Sequence, residues 1–117
     1  MSCVQFIAES FAVRTAAHCL HLTSTSFAQH QALGEFYTPL TDLIDKYAEV
    51  YMGLEGRIAG FPAVTPPKTK PVDLLEDYLT SIKDELSEDH GSEALRNILA
   101  EIEELTARTL YKVQTLK

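Results

Sequence analysis

Apolar residues recur at steps of three and four along most of this chain, which is the pattern of amphipathic α-helices. The first stripe predicts a helix over residues 3–23, followed by a break rich in Thr and Ser. Ser26 and Gln29 then have the spacing of a capping box, in which each side chain bonds the other residue's backbone N–H. We therefore expect a second helix to begin at Phe27 and to run to about residue 58.

Proline and glycine mark the other boundaries. Pro39 removes a backbone donor from the second helix, so we expect a kink or a local bulge there. Residues 60–71 are rich in proline and predict a long, non-helical crossover connection. Further apolar stripes predict helices over residues 72–88 and 92–116, with Gly91 suited to end the third helix and Ser92 to cap the fourth.

These elements predict one fold for the whole chain. The 117 residues are 45 % hydrophobic and 23 % charged, which is the composition of a single ordered domain spanning residues 1–117. Connections are short between the first and second helices and between the third and fourth, whereas the central connection is long. We predict an all-α, ferritin-like four-helix bundle with one long crossover connection between helices 2 and 3.

The charge and the cysteines of the chain indicate which kinds of partner and which cellular compartment to expect. Seventeen acidic and ten basic residues give a net charge of −7, and the basic residues are scattered, so DNA binding is disfavoured and attraction of cations is favoured. The N-terminus has neither a basic segment nor an uninterrupted apolar run, which predicts no signal peptide and no membrane span. Cys3 and Cys19 lie about 24 Å apart on one predicted helix, too far for a disulfide. We expect reduced thiols and a cytoplasmic location.

Two His and two carboxylates are the candidate metal ligands: His18, His30, Asp45 and Glu49. Asp45 and Glu49 are four residues apart and share a helix face. His30 and Asp45, however, are fifteen residues apart, or about 22 Å along one helix, so one chain cannot bring them to the same ion. If two copies of this helix pack antiparallel about a two-fold axis near residues 37–38, the His end of one copy faces the acidic end of the other. The pattern predicts a site shared between subunits.

The same residues resemble a known family, the small ferritin-like proteins called Dps, or DNA-binding proteins from starved cells. That family's motif is His, eight residues, Phe, two residues, His, then Asp after fifteen residues and Glu after four more. This chain reads His18, Phe27, His30, Asp45 and Glu49 at those intervals. The stretch over residues 55–62 is also similar to the family's Glu-Arg-Ile segment and the loop that follows it. The specific match covers about residues 14–62.

The resemblance implies a function and a metal. It implies a ferroxidase centre at a two-fold dimer interface, with His18 and His30 from one subunit and Asp45 and Glu49 from the other as catalytic and iron-binding residues. Ferrous iron bound there is oxidised by hydrogen peroxide or oxygen and stored inside a larger shell, which protects against peroxide damage. Iron suits such a mixed set of imidazole and carboxylate ligands.

Three departures from the family pattern change this expectation. Gly34 stands where the family has an acidic residue, which removes one carboxylate from the site and lowers the expected metal affinity. Cys19 stands where the family has Trp. The chain also lacks a basic N-terminal arm and much of the middle helical insertion, which argues against DNA binding and against a twelve-subunit cage.

Simpler interpretations remain for single residues and for the whole chain. A lone His near a helix end is usually a polar cap, and we favour that role for His21 over its joining the site of His18. Glu35 points about 100° away from Gly34 on a helix and is a poor replacement for the missing carboxylate. For the whole chain, the alternative is a non-catalytic helical bundle that acts as a protein-interaction module.

Overall fold

The computed structural model describes residues 2–88 and 92–117 and consists of four α-helices, with no strand in those two ranges. The helices are α1 (Cys3–Thr23), α2 (Phe27–Glu55), α3 (Pro71–Ser87) and α4 (Glu93–Thr115). The all-helical prediction is confirmed. Gly91, predicted to end the third helix, lies outside the described residues.

The N-terminal caps of α1 and α4 follow from serine side chains. Ser2 accepts a hydrogen bond from the Gln5 N–H at 3.1 Å, and the Gln5 side chain accepts one from the Ser2 N–H at 2.8 Å, which completes a capping box. Ser92 accepts from the Leu95 N–H at 3.3 Å, as predicted. In both helices an orphan donor of the first turn is thereby satisfied.

The capping box predicted for α2 forms only in part. Ser26 accepts from the Gln29 N–H at 3.3 Å. The Gln29 side chain instead accepts from the Ser24 hydroxyl at 3.0 Å, because the short connection brings that hydroxyl within reach. The connection between α1 and α2 is thus held by its own side chains.

α2 ends three residues before its predicted end. Gly56 has φ 101°, a left-handed conformation that a residue with a side chain rarely adopts, and its N–H bonds the Met52 carbonyl at 2.9 Å. The helix runs through Pro39 without interruption, in contrast to the expected bulge. Pro39 and Glu35 are both exposed, so the hydrogen bond that proline removes is on the solvent side of the helix.

The helices pack in a ring. α1 contacts α2, α2 contacts α4, α4 contacts α3, and α3 contacts α1, whereas the described backbones of the two diagonal pairs do not approach each other closely. Across the α2–α3 diagonal only side chains meet, as where Phe36 lies edge-on to Tyr78. The non-helical residues 56–70 therefore join two helices, α2 and α3, that are diagonal to each other. Phe61 of this connection packs edge-on against Phe11 of α1, with ring centroids 5.6 Å apart.

One hydrophobic core contains residues of all four helices. Its centre is aromatic: Phe6 stacks on Tyr78 with centroids 5.9 Å apart and meets Tyr47 edge-on at 5.7 Å. The fully buried aliphatic side chains around it include Ile7, Leu33, Leu40, Ile44, Leu75, Ile82, Leu99 and Ile102. None of the described helices combines the length and the hydrophobicity that a membrane span requires.

Candidate metal centre

Two histidines meet where α1 ends and α2 begins. The rings of His21 and His30 are stacked, with centroids 3.8 Å apart and planes inclined by 17°. Nδ1 of His21 lies 2.5 Å from the His30 carbonyl oxygen, and Nδ1 of His30 lies 2.7 Å from the His21 carbonyl oxygen. A carbonyl oxygen only accepts, so each Nδ1 is the donor and carries the hydrogen. In the neutral rings, Nε2 is then left with a lone pair, as in metal-binding histidines.

A third imidazole lies one turn earlier on α1. The His18 ring stacks on Tyr37 of α2, with centroids 4.1 Å apart and planes inclined by 13°. Its centroid is 6.3 Å from that of His21. Arg14 also contacts the Tyr37 ring, 5.4 Å from its centroid, and donates from Nε to the Thr41 hydroxyl at 3.0 Å. The aromatic contacts place the His18 ring near that of His21.

Gly34 is the reason why the His21 ring fits against α2. A Cβ atom at position 34 would lie 3.0 Å from Cε1 and 3.1 Å from Nδ1 of His21. A side chain there would therefore require the ring to shift by a few tenths of an ångström. His21, His30 and Gly34 form one wall of an open depression of roughly 730 Å³, whose other lining residues are Phe27, Gln31, Glu35, Thr38 and Pro39.

Asp45 and Glu49 lie on the exposed surface of α2, away from the histidines. Neither carboxylate has a hydrogen bond or an ion pair with any described residue. Because α2 is continuous, His30 and Asp45 are about 22 Å apart along it. One chain thus gathers the predicted histidines at one end and leaves the predicted carboxylates at the other. The described part of one chain contains no group of three or more His, Cys, Asp or Glu residues that could hold a metal ion.

The two ends nevertheless share a face of α2. At about 100° per residue, His30, Asp45 and Glu49 fall within an arc of about 100° around the helix axis. Phe27, at the start of the helix, projects from the same arc and is 77 % exposed. A single partner helix lying along this face would contact both ends of α2.

Glu35 does not replace the carboxylate that is absent at position 34. Its Oε2 lies 3.2 Å from Nζ of Lys112 on α4, and its Oε1 accepts from Gln31 at 3.4 Å. The hydrogen bond from Lys112 is the main reason why the pKa of Glu35 is lowered. Glu35 is therefore paired with α4 and not with the imidazoles.

Comparison with known proteins places the chain in a family. A family model of unknown function, DUF5856, matches residues 21–113. The chain belongs to this family. His21, His30, Asp45 and Glu49 lie inside the matched span, whereas His18 precedes it.

One relative comes from a bacteriophage. The chain is 29 % identical over 72 residues to an uncharacterized 14.6 kDa protein in the mobD-ri intergenic region of Enterobacteria phage T4. The match includes 62 % of this chain and 56 % of that protein, so it spans little more than half of the relative's length. No solved structure matches the chain.

His21 lies in the last turn of α1 and bonds a backbone carbonyl, as expected of a polar helix end, but its ring also stacks on that of His30. It lies three residues after His18, a spacing that puts both on one side of α1, and nine residues before His30 across a short connection. Those two spacings were a signal for a cluster of three imidazoles. The contact with Gly34 had no sequence signal, since it depends on how α1 and α2 pack.

A separate polar group lies on α1 under the α2–α3 connection. Oε1 of Glu9 accepts a hydrogen bond from Ser81 at 2.7 Å, whereas Oε2 is buried without a partner among the described residues. Burial is the main reason why the pKa of Glu9 is raised, and the charge of Asp77 adds to it. Glu9, Gln5 and residues 63–65 line a depression of roughly 460 Å³ that has no imidazole.

Proposed function

We propose that this protein binds ferrous iron between two copies of the chain, oxidises it with hydrogen peroxide or oxygen, and sequesters the product, as Dps-like ferritins do. One observation carries the proposal. At one end of a single face of α2 lie two imidazoles with free Nε2 lone pairs, that of His30 and that of His21 from α1, and at the other end lie carboxylates without partners among the described residues. Each end holds half of a metal-ligand set.

A two-fold arrangement joins the halves. If two α2 helices pack antiparallel about an axis between residues 37 and 38, His30 of one chain lies opposite Asp45 of the second. Both sites of the dimer then have His18 and His30 from one copy and Asp45 and Glu49 from the other. The exposed side chain of Phe27 becomes covered by the acidic half of the partner's α2.

The connectivity of the bundle supports the same proposal. Residues 56–70 join diagonal helices, whereas the other two connections join neighbours. One long crossover in the middle of a four-helix bundle is the ferritin-like arrangement.

The ligand set suits iron as a substrate. Imidazole nitrogen binds ferrous iron well, and carboxylate oxygens favour the ferric state because they balance its additional charge. The carbonyl bond at Nδ1 orients the His30 ring and keeps its proton away from Nε2. Four protein ligands would leave coordination positions open for the oxidant. Two ferrous ions would each give one electron, and one hydrogen peroxide would take up these two electrons and two protons to become two water molecules.

A second function is favoured by a different observation. Leu22, Phe27 and Leu116 are 68 %, 77 % and 49 % exposed, and Phe27 lies between the depression beside the histidines and a second one of roughly 310 Å³. Exposed apolar side chains beside depressions are typical of protein-binding surfaces. The competing proposal is therefore a non-catalytic helical bundle that acts as a protein-interaction module.

Anaerobic titration with ferrous iron separates the two proposals. Calorimetry is performed on the wild type and on the double variant His30→Ala/Asp45→Ala, with light scattering for mass and circular dichroism to show that both proteins fold. Glu76→Ala, at an exposed position of α3, is the control. Saturable binding that only the double variant loses, followed by ferric absorbance on adding peroxide, supports the iron proposal. A folded wild-type protein that binds no iron overturns it.

A further inference from the structure

His21 and His30 hold each other where α1 meets α2, because the ring of each residue bonds the backbone of the other. We infer that His21 is a positioning residue, which orients the ring of the proposed ligand His30 and does not itself bind the metal. The inference rests on the proposed function, because it concerns a ligand of that site. It gives a role to a residue outside the predicted ligand set.

The first argument is the orientation of the His30 ring. Its Nδ1 donates to the His21 carbonyl oxygen, so the hydrogen of the neutral ring is on Nδ1 and the lone pair is on Nε2. The bond also limits rotation of the ring about its Cβ–Cγ bond, and therefore the direction of the lone pair. Metal-binding histidines are oriented in the same way when their other ring nitrogen donates to a backbone carbonyl.

The second argument is what the His21 side chain adds to that bond. Its ring covers one face of the His30 ring, with the centroids 3.8 Å apart and the planes inclined by 17°. Its Nδ1 donates to the His30 carbonyl oxygen, which ties the first turn of α2 to the last turn of α1. Because the His30 ring bonds a carbonyl of that same last turn, the tie keeps its acceptor in place. His21 therefore acts on the His30 ring both by stacking and through the backbone.

The same geometry argues against His21 as a ligand beside His30. The two rings lie in nearly parallel planes, so the lone pairs on their Nε2 atoms do not converge on one ion. Gly34 permits this arrangement, since a Cβ there would lie 3.0 Å from the His21 ring and would require the ring to shift. The His21 ring is thus a support for His30 that occupies the space beside a helix position without a side chain.

Histidine NMR and anaerobic Fe²⁺ calorimetry of the full chain test the inference with three substitutions of His21. His21→Ala removes the ring and the donor, His21→Phe keeps a ring, and His21→Asn keeps a side-chain N–H in the place of Nδ1–H. Ile98→Val, a core substitution on α4, is the control for a general loss of stability. In the metal-free protein at a pH of about 8.5, where free imidazole is neutral, the ring ¹⁵N shifts show which nitrogen of His30 has the hydrogen.

We expect the wild type and Ile98→Val to have the His30 hydrogen on Nδ1 and to bind Fe²⁺ alike. In His21→Ala the hydrogen should be distributed between Nδ1 and Nε2 of His30, because the ring is no longer held in one orientation. The same variant should bind Fe²⁺ about 10-fold more weakly. His21→Phe and His21→Asn should each recover part of this loss, because each keeps one of the two contacts.

The inference is wrong if His21→Ala changes only one of the two measurements or neither of them, and the iron proposal then stands. Weaker Fe²⁺ binding with the His30 hydrogen still on Nδ1 would mean that His21 binds the metal itself. Unchanged binding would mean that the orientation of the His30 ring does not matter. A folded wild type that binds no Fe²⁺ overturns the proposed function, and the inference with it.

Discussion

The two ends of α2 are built differently, although both contribute residues to the proposed site. At the N-terminal end, the His30 ring is half-buried, stacked and hydrogen-bonded to the last turn of α1. At the acidic end, Asp45 and Glu49 are exposed and contact no polar partner among the described residues. Contacts within the chain hold the His30 side chain in place. The side chains of Asp45 and Glu49 have no such contacts, and only a bound partner would hold them.

The difference arises from where the backbone has free acceptors. His21 lies in the last turn of α1, where carbonyl groups lack an intrahelical donor, so its carbonyl can accept from an imidazole. Asp45 and Glu49 lie inside α2, in a part of the helix where the backbone groups bond one another. Helix ends can therefore position polar side chains within one chain, whereas side chains on a helix surface need a second surface.

The largest expected effect comes from variants that lack a ligand at one end of α2 only, and from mixing the two kinds of variant. We expect His30→Ala and Asp45→Ala to lower iron affinity at least about 100-fold each. In an equimolar mixture that exchanges subunits freely, half of the dimers are mixed and each has one intact site, so about one quarter of the wild-type sites should return. Calorimetry of the mixture after subunit exchange measures this number.

No recovery in a mixture shown by native mass spectrometry to contain mixed dimers would contradict a site shared between subunits. Each variant alone, treated in the same way, is the control.

The next largest effect is on the stability of the metal-free protein, and it differs between the histidine end and the acidic end of α2. His21→Ala removes a ring that donates one hydrogen bond and stacks on His30, so we expect the free energy of unfolding to fall by about 1–2 kcal/mol. Asp45→Ala should change it by less than about 0.5 kcal/mol, because the carboxylate makes no contact to lose. Urea denaturation in the presence of a chelator compares the two. Equal effects would show that the His21 contacts do not stabilise the fold.

The two helical glycines of α2 give a smaller and more local comparison. A Cβ at Gly53 meets no atom within 4 Å, so Gly53→Ala should stabilise the protein by about 1 kcal/mol through helix propensity. A Cβ at Gly34 meets the His21 ring at 3.0 Å, and the resulting displacement should cancel that gain. Thermal unfolding of both variants tests this difference. Equal stabilisation by the two substitutions would mean that the His21 ring moves aside at no cost.

The smallest effect concerns Glu9, a half-buried residue of α1 that lies at neither end of α2. Its pKa in the folded protein is raised above the ordinary 4.5, so between those two values the folded state binds more protons than the unfolded state. Stability due to this group therefore falls as pH rises from 4.5 to the folded pKa and is constant above it. Glu9→Gln keeps an acceptor for Ser81 and should gain less than about 1 kcal/mol at neutral pH.

The pH dependence of the melting temperature of wild type and Glu9→Gln checks the last prediction. The variant should lose the decrease above pH 4.5. An unchanged slope would show that another group causes it.

Most of the secondary structure was predictable from the sequence, because apolar periodicity and serine caps are local signals. The end of α2 was not, since Gly56 terminates it through a left-handed φ while the apolar pattern continues to Ile58. Likewise, Gln29 matched a capping box, yet Ser24 from the preceding connection competes for its side chain. In the first place a glycine inside the apolar pattern ends the helix, and in the second a residue just outside the motif competes for a side chain.

For the candidate site, the sequence could supply the spacing and the distance argument but not the ring contacts. The 22 Å separation of His30 from Asp45 follows from helix rise alone. The stacking of His21 on His30 and its fit against Gly34 depend on how closely two helix backbones approach, which no periodicity records.

The connection between diagonal helices divides the chain into two helical hairpins, α1–α2 and α3–α4, linked only by residues 56–70. Every residue discussed as a metal ligand belongs to the first hairpin, and the second supplies apolar side chains to the shared core. Cleavage within residues 62–67, which contain no helix, would therefore yield two fragments with separate tasks. Each fragment would need the other to bury its apolar face, so the ligand-bearing half should fold only when the packing half is added.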